Sequence, residues 1–344
     1  IRGCEITNNG NGIFLRGDDN GDESTITRNT LVAGNYIHGN GNIGSETQHN
    51  IYSQGVSPIF QYNRIGRQRP GAGGISLKDR SANTVIRYNW IESGARTIDL
   101  VEAEDASIVV AEGEYGNAYV YGNIIINEID DTDGYAWAGH IVHFGADNFA
   151  DDGTGDCTAP DPDICRNGTL YFHNNTVIIK DYRTIAQDSP WVQDRLFELS
   201  VRDATADIRN NLFHLHAPNG HPNLTLMRQH GTANLNGVNW ITANWAEHAL
   251  EDDYHQWTGT INYNGTLIEG SAPELAAITS ISGNLTGDDY RPSASSPLID
   301  QATPLPPTLI SAGHGVNQEY ERHQAGVNRN LTGAAPDLGA LEYR

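Results

Sequence analysis

Basic side chains are scarce in this sequence. Lysine and arginine together number 21 against 43 aspartates and glutamates, which leaves a net charge of −22. Nucleic acid is not an expected partner, because binding it relies on lysines and arginines that neutralise phosphates. Helix formers are also thin: there is one methionine, while glycine is abundant, which points to strands and turns. No apolar run is long enough to cross a membrane, so no membrane insertion is expected. Cysteine is limited to three. Two of them, Cys157 and Cys165, flank a short Pro/Asp loop. A disulfide there suits an oxidising compartment and would stabilise by roughly 2–3 kcal/mol on the chain-entropy account. Two free thiols or a metal site is the alternative. Cys4 is left over and expected to be buried. The chain starts in mid-pattern at Ile1, and a leader or earlier coils are expected before it. A secreted (extracellular or periplasmic) monomer is the expected setting.

What is present is a repeat. An asparagine recurs in one local setting at Asn35, Asn63, Asn89, Asn123, Asn175 and Asn211, and Arg2-Gly3-Cys4-Glu5-Ile6 looks like the same turn with cysteine in its place. Short β-branched strands flank each one. Irregular coils of over twenty residues, each built from several short strands, indicate a parallel β-solenoid. Asparagine tolerates tight-turn angles, and its amide can bond both backbone and the asparagine one rung away. A structural ladder inside the coil is therefore expected. The reading is all-β: a single-stranded right-handed parallel β-helix over 1–285 with loop insertions near 128–168 and 179–195, and a C-terminal capping or closing segment over 286–344.

Rungs of such a helix lie about 4.8 Å apart, so equivalent positions on successive coils become neighbours. Matching inward apolar residues pairs Ile75 and Leu77 with Ile98 and Leu100, then Val142 and Phe144, Phe197 and Leu199, and Leu224 and Leu226. The outward column then reads Tyr52, Ser76, Asp99, His143, Glu198, Thr225. Lys78 and Arg80 follow Ser76, Glu102 and Glu104 stand at the next turn, and Arg202 and Arg228 extend the face. The stretch from Arg64 to Arg96 carries seven basic residues and two acidic ones, a basic island on an acidic body. Such an island suits a negatively charged ligand. Acid, base and cation converging on one face is what chemistry requires. Each member also has a plainer role: Tyr52 as a rim aromatic, His49 bonded to a neighbouring turn, Arg80 paired with Asp79 or Asp99.

The repeat resembles the right-handed parallel β-helix of the pectate-lyase-like superfamily. The tail, with Asp289-Tyr290-Arg291-Pro292, Ser296-Pro297-Leu298-Ile299-Asp300 and Pro336-Asp337-Leu338-Gly339-Ala340-Leu341-Glu342-Tyr343, looks like the closing segment of secreted bacterial β-helix proteins. Within that group, His49-Asn50-Ile51-Tyr52, Lys78-Asp79-Arg80, Arg87-Tyr88-Asn89 and Asp99-Leu100 follow a shared order. Lys78-Asp79-Arg80-Ser81 is more distantly similar to the lysine tract of the alginate-lyase and chondroitinase B family. Gly74 and Ser76 stand where that family has acidic calcium ligands.

The resemblance and the basic island together lead to one expectation: a polysaccharide lyase that cleaves an acidic, uronate-containing polymer by β-elimination. Arg80, with Arg67 or Arg69, would neutralise the uronate carboxylate. Lys78 or Tyr52 would take the proton beside it, and His49 or His143 would donate to the leaving oxygen. Asp99, Glu102, Glu198 and Arg202 line the same face. No cofactor is required by this scheme and no metal site is assigned. Calcium remains open because Asp147, Asp151, Asp152, Asp156, Asp161 and Asp163 crowd one loop. Trp137, Trp191, Trp240 and Trp245 are placed in insertions, to wall a sugar groove or pack loops. A glycoside hydrolase using two of Asp99, Glu102, Glu104 and Glu198 is the alternative, with a non-catalytic glycan-binding solenoid as the third class.

Overall fold

The computed structural model describes residues 1–18, 21–93, 96–104, 106–129, 140–147, 164–183, 195–220, 224–248, 258–276, 290–321 and 325–344. The described chain is a right-handed parallel β-helix with two short α-helices, Ser107–Val110 and Pro307–Ser311. Each coil contributes one strand to each of three parallel sheets of nine, eight and eight strands. Alternation along each strand sends one set of side chains inward. Ile51, Leu77, Ile98, Val142 and Phe197 stack from coil to coil in one sheet, and the whole interior is one apolar cluster.

The asparagines form the expected ladder. The Oδ1 of each accepts both the backbone N–H and the amide N–H of the asparagine one coil earlier. Asn89, for example, donates to Asn123 Oδ1 at 2.9 Å from its backbone and 3.0 Å from Nδ2. The residue before the ladder asparagine carries a positive φ at Gly34, Tyr62, Tyr88, Gly122, Asn174 and Asn210. The ladder runs one rung beyond the expected six, to Asn239, which accepts from Asn211. Cys4 takes the first place, its N–H donating to Asn35 Oδ1 at 3.0 Å. Its side chain is exposed rather than buried. Removing a middle rung should be felt. Asn123→Ala strands the buried N–H of Asn89, and an unfolding titration should show a loss of about 2 kcal/mol, the cost of one unsatisfied buried donor. An unchanged midpoint would mean that the ladder contributes no net stability.

The C-terminal segment runs lengthwise along the outside of the barrel. Tyr290, Leu298, Tyr320, Leu338 and Leu341 pack on Trp90, Ile124, Ile178, Leu212 and Trp240, outward residues of the nine-stranded sheet. The Tyr88 hydroxyl donates to Gly315 O at 3.1 Å, and His314 stacks on Tyr119 with ring centroids 3.7 Å apart. The segment thereby covers a flank that would otherwise expose an aromatic and branched stripe. Trp240 is fully buried beneath it, and Trp245 opens the strand Trp245–His248. Both belong to the barrel rather than to insertions. Trp137 and Trp191 lie outside the described residues.

Candidate functional site

The eight-stranded sheet that begins with Ile13–Leu15 carries the polar column. Its strands Ile51–Ser53, Ile75–Asp79, Arg96–Leu100, His140–Phe144, Arg195–Leu199 and Leu224–Gln229 pair in order. Tyr52 is directly opposite Lys78, Lys78 opposite Asp99, Asp99 opposite His143, His143 opposite Glu198, and Glu198 opposite Arg228. The coils of Tyr52, Lys78 and Asp99 therefore do stack. Two members of the expected column change: Lys78 replaces Ser76 and Arg228 replaces Thr225. Leu77, not Ile75, is level with Ile98, and Met227 is level with Phe197. The first shift is of two residues and keeps inside and outside unchanged, so apolar matching alone does not detect it; the second is of three, across a stretch where Leu226 and Met227 are both buried and strict alternation fails.

Asp99 is the centre of the column and is completely buried. Its Oδ1 is 2.9 Å from His140 Nε2 and 3.7 Å from His143 Nδ1, and its Oδ2 is 3.6 Å from Arg96 Nη1. Burial alone would raise its pKa. Arg96, His140 and His143 outweigh that and hold the carboxyl well below its ordinary value. Glu198 sits one position further, with Arg195 Nη1 at 3.0 Å, Arg228 Nη1 at 3.2 Å and His140 Nδ1 at 3.4 Å. There too burial opposes ionisation, but Arg228, His140 and Arg195 hold the carboxylate well below its usual range. His143 is buried, which lowers its pKa, yet the bond and charge of Asp99, with Glu198 and Asp147, push it up to about 8.

On the other side of Asp99, Lys78 is ion-paired with Asp147. Arg80 lies 2.9 Å from Glu104 Oε1 and 3.4 Å from Asp147 Oδ2, and donates to the Glu102 carbonyl. Its partners are therefore Glu104, Asp147 and Glu102, not the Asp79 or Asp99 of the plainer reading. The guanidinium is buried and spent on these contacts, so it holds the Lys78 corner rather than reaching for a ligand. Burial works against its charge, but Tyr52, Glu102, Glu104 and Asp147 raise its pKa. Glu102 is itself buried, its carboxylate accepting Asp147 N–H at 2.6 Å. Asp79 points inward and pairs with the fully buried Arg166 at 2.7 Å.

His49 accepts the Ile75 N–H on Nδ1 at 3.0 Å, so its remaining proton is on Nε2. Burial, and then Lys78, push its pKa down to about 3, and the ring is neutral. It lies against Tyr52, centroids 5.5 Å apart, and Tyr52 stacks on Phe14 at 5.3 Å. Phe14 is 51% exposed, an open aromatic step at one end of a polar row. Gln54 donates to the Tyr52 hydroxyl at 3.1 Å.

The remaining expected residues do not all converge. Arg67 donates to the Glu128 carbonyl at 2.6 Å, at the corner beside the nine-stranded sheet. Arg69 lies in the following turn, where Ala72 N–H bonds its carbonyl, and among the described residues no hydrogen bond joins its side chain to the column. Arg202 is exposed and donates to Thr258 at 3.3 Å. Of the acidic loop, Asp147 is committed to Lys78 and Arg80, while Asp151, Asp152, Asp156, Asp161 and Asp163 lie outside the described residues, as does Cys157 of the expected disulfide. Cys165 is buried. Sequence reasoning missed His140, Arg96, Arg195, Asp147 as the partner of Lys78, and Ser200, which bonds His143 Nε2 at 2.8 Å.

The arrangement offers a neutral imidazole donor, a phenol and an ammonium on adjoining rungs, followed by two ionised carboxylates bridged by histidine. Searches for a matching protein family, curated protein or solved structure find none.

Proposed function

We propose that this chain is a secreted polysaccharide lyase that cleaves a uronate-containing polymer by β-elimination. The reading rests on one observation: Tyr52, Lys78 and His49 crowd one end of the column, beside the exposed Phe14 ring. The His49 Nε2–H, and the Lys78 ammonium once it exchanges Asp147 for the substrate, would face the uronate carboxylate. A neutral imidazole held as a donor is suited to stabilising charge that builds on that carboxylate when its α proton leaves. Ionised through the nearby charges of Lys78 and Arg80, the Tyr52 phenolate would take that proton and become the neutral phenol. The electron pair then forms the double bond, the glycosidic C–O bond breaks, and the phenol returns the proton to the departing oxygen. Phe14 would stack on the neighbouring sugar.

The hydrolase reading is weaker on this geometry. It needs one carboxyl kept protonated as general acid. Asp99 and Glu198 are both held ionised.

The test is incubation of the pure protein with a panel of uronate polymers, followed by ultraviolet absorbance of unsaturated products. Tyr52→Phe should reduce turnover by about 10²–10⁴-fold, the range for loss of an acid–base group, with the melting temperature unchanged. Reducing ends without unsaturation would move the assignment to a hydrolase. Binding without turnover, surviving Tyr52→Phe and Lys78→Ala, would leave a glycan-binding solenoid.

A further inference from the structure

We infer that Asp99, His140 and His143 form a binding site for one divalent transition-metal ion of the zinc kind. The three ligand atoms lie within 4.8 Å of one another, in a cluster where all three residues are buried. His140 Nε2 and His143 Nδ1 stand 2.9 and 3.7 Å from the same Asp99 oxygen. Two ligands each ~2.0–2.1 Å from one ion stand about 2.9 Å apart at a right angle and about 3.4 Å apart at the tetrahedral angle. The two oxygen–nitrogen spacings lie at or near these values, and the two nitrogens lie within 4.8 Å of each other.

The histidine orientations are fixed from behind. Ser200 Oγ donates to Ala146 O at 2.8 Å and accepts Ala146 N–H at 2.8 Å. Its remaining lone pair takes the Nε2–H of His143 at 2.8 Å, which leaves Nδ1 directed at Asp99. His140 has its Nδ1 3.4 Å from Glu198 and its Nε2 turned to Asp99. A hydroxyl or carboxylate on the far nitrogen is the arrangement that orients metal-ligating imidazoles and raises their basicity. A second observation points to a cation. Asp99 Oδ2 is buried without a hydrogen-bond partner, its charge faced by Arg96 Nη1 at 3.6 Å, beyond hydrogen-bond reach. Two imidazoles with one carboxylate suit zinc, cobalt or manganese rather than calcium, which takes oxygen ligands. The ion would take the place of the proton between His140 and Asp99. The ligands are not the residues that carry the lyase reading, so the site stands whether or not that reading holds.

The test uses the whole chain, stripped with EDTA and dialysed, without polysaccharide. Titration with Zn²⁺ by calorimetry should give one ion per chain, and Co²⁺ should develop visible d–d absorption. His140→Gln and His143→Gln should each weaken binding by at least about 100-fold, and Ser200→Ala by about 10-fold, while Lys78→Ala leaves it intact. Should a histidine variant fail to fold, zinc protection of the wild-type histidines from diethylpyrocarbonate, mapped by mass spectrometry, decides instead: protection of His140 and His143 supports the site, and its absence overturns it. No saturable binding of either ion, or binding that survives both histidine substitutions, overturns it as well.

Discussion

Arg166→Met should lower the unfolding free energy by about 3–5 kcal/mol, the range for leaving one charge of a buried pair uncompensated. Arg166 is fully buried, with Nη2 2.7 Å from Asp79 Oδ2 and Nε 3.1 Å from the Val101 carbonyl, and its charge lies 5.6 Å from the Tyr115 ring centroid. It also donates to the Ser81 carbonyl. Without it Asp79 keeps one bond, from Thr84 Oγ1 at 2.7 Å, and its Oδ1 already has none. The Val101 carbonyl loses the Arg166 donor at the same time, and the Ser81 carbonyl is left with Thr84 Oγ1 at 3.3 Å. The loss falls on the site as well as on the fold. Asp79 is flanked in sequence by Lys78 and Arg80, and the Arg166 backbone bonds Gly145, two residues from His143 and from Asp147. The pair thus ties together the two strands whose ends meet at Lys78 and Asp147. Replacing both partners separates charge from shape. Asp79→Leu with Arg166→Met leaves no stranded carboxylate, and the double variant should lose less than Arg166→Met alone. Denaturant titration of the two variants is the measurement. A single variant within about 1 kcal/mol of wild type would contradict a buried, mutually dependent pair.

The Asn ladder was readable from sequence because its turn chemistry is local. The left-handed residue and the asparagine are adjacent, and the left-handed residue is Gly or Asn at four of the six rungs, Tyr62 and Tyr88 being the exceptions. Asn239 escaped because its positive φ falls at Gly237, two residues ahead, with Val238 between. The strands were readable by alternation, but their register was not. Ile75 and Leu77 are equally good inward residues, and a shift of two costs nothing in pattern. The ladder itself holds the missing ruler. Tyr52, Lys78 and Arg228 each stand eleven residues before Asn63, Asn89 and Asn239, and counting back from the asparagines puts them in one column. The count fails for Asp99 and His143, whose coils carry insertions before the ladder residue, so spacing could not place them. His140 was hidden for a different reason. It and His143 are three residues apart, an odd separation that period-two alternation assigns to opposite faces, yet both reach Asp99. The ion partners of Lys78 and Arg80 come from Asp147, Glu102 and Glu104 on later coils, and no local pattern connects them. Charge counting found the basic island. It could not tell that much of it is neutralised.

Acid should destabilise the fold steeply, and from a pH well above the carboxylate range. Three deeply buried histidines are held neutral, and a fourth, the less buried His314, is pushed down to about 4 by burial and then Arg87, against Glu114. Burial pushes His49 and His173 down to about 3 and His214 to about 4, from an ordinary 6.5. Around His49, Lys78 and Arg96 add to the effect, and Asp99 and Asp147 oppose it. Around His173, the Asn174 bond and Asp207 oppose, while Arg209 and His314 add. For His214 the added cation is His216. A folded-state pKa below the unfolded one means that the folded chain binds fewer protons at intermediate pH. The contribution is complete above 6.5 and is lost as pH falls toward the folded values. Between about pH 7 and about pH 5 each fully neutral imidazole should remove about 2 kcal/mol, so the three together approach about 6 kcal/mol. His143 has the opposite sign: its folded pKa is near 8, so its contribution is complete below 6.5 and is lost above that, which offsets part of the fall at the neutral end of this window. Asp99 and Glu198, with depressed values, add their losses only below the ordinary carboxylate range. Urea titrations in EDTA across this window should show the fall. His173→Phe keeps a ring against Tyr121, where the imidazole now stacks at 4.8 Å, and removes the proton site. Its slope should be shallower by one proton, about 1.4 kcal/mol per pH unit. Stability that stays level from neutral to mildly acid pH, or an unaltered slope in His173→Phe, would mean that these rings take up protons in place.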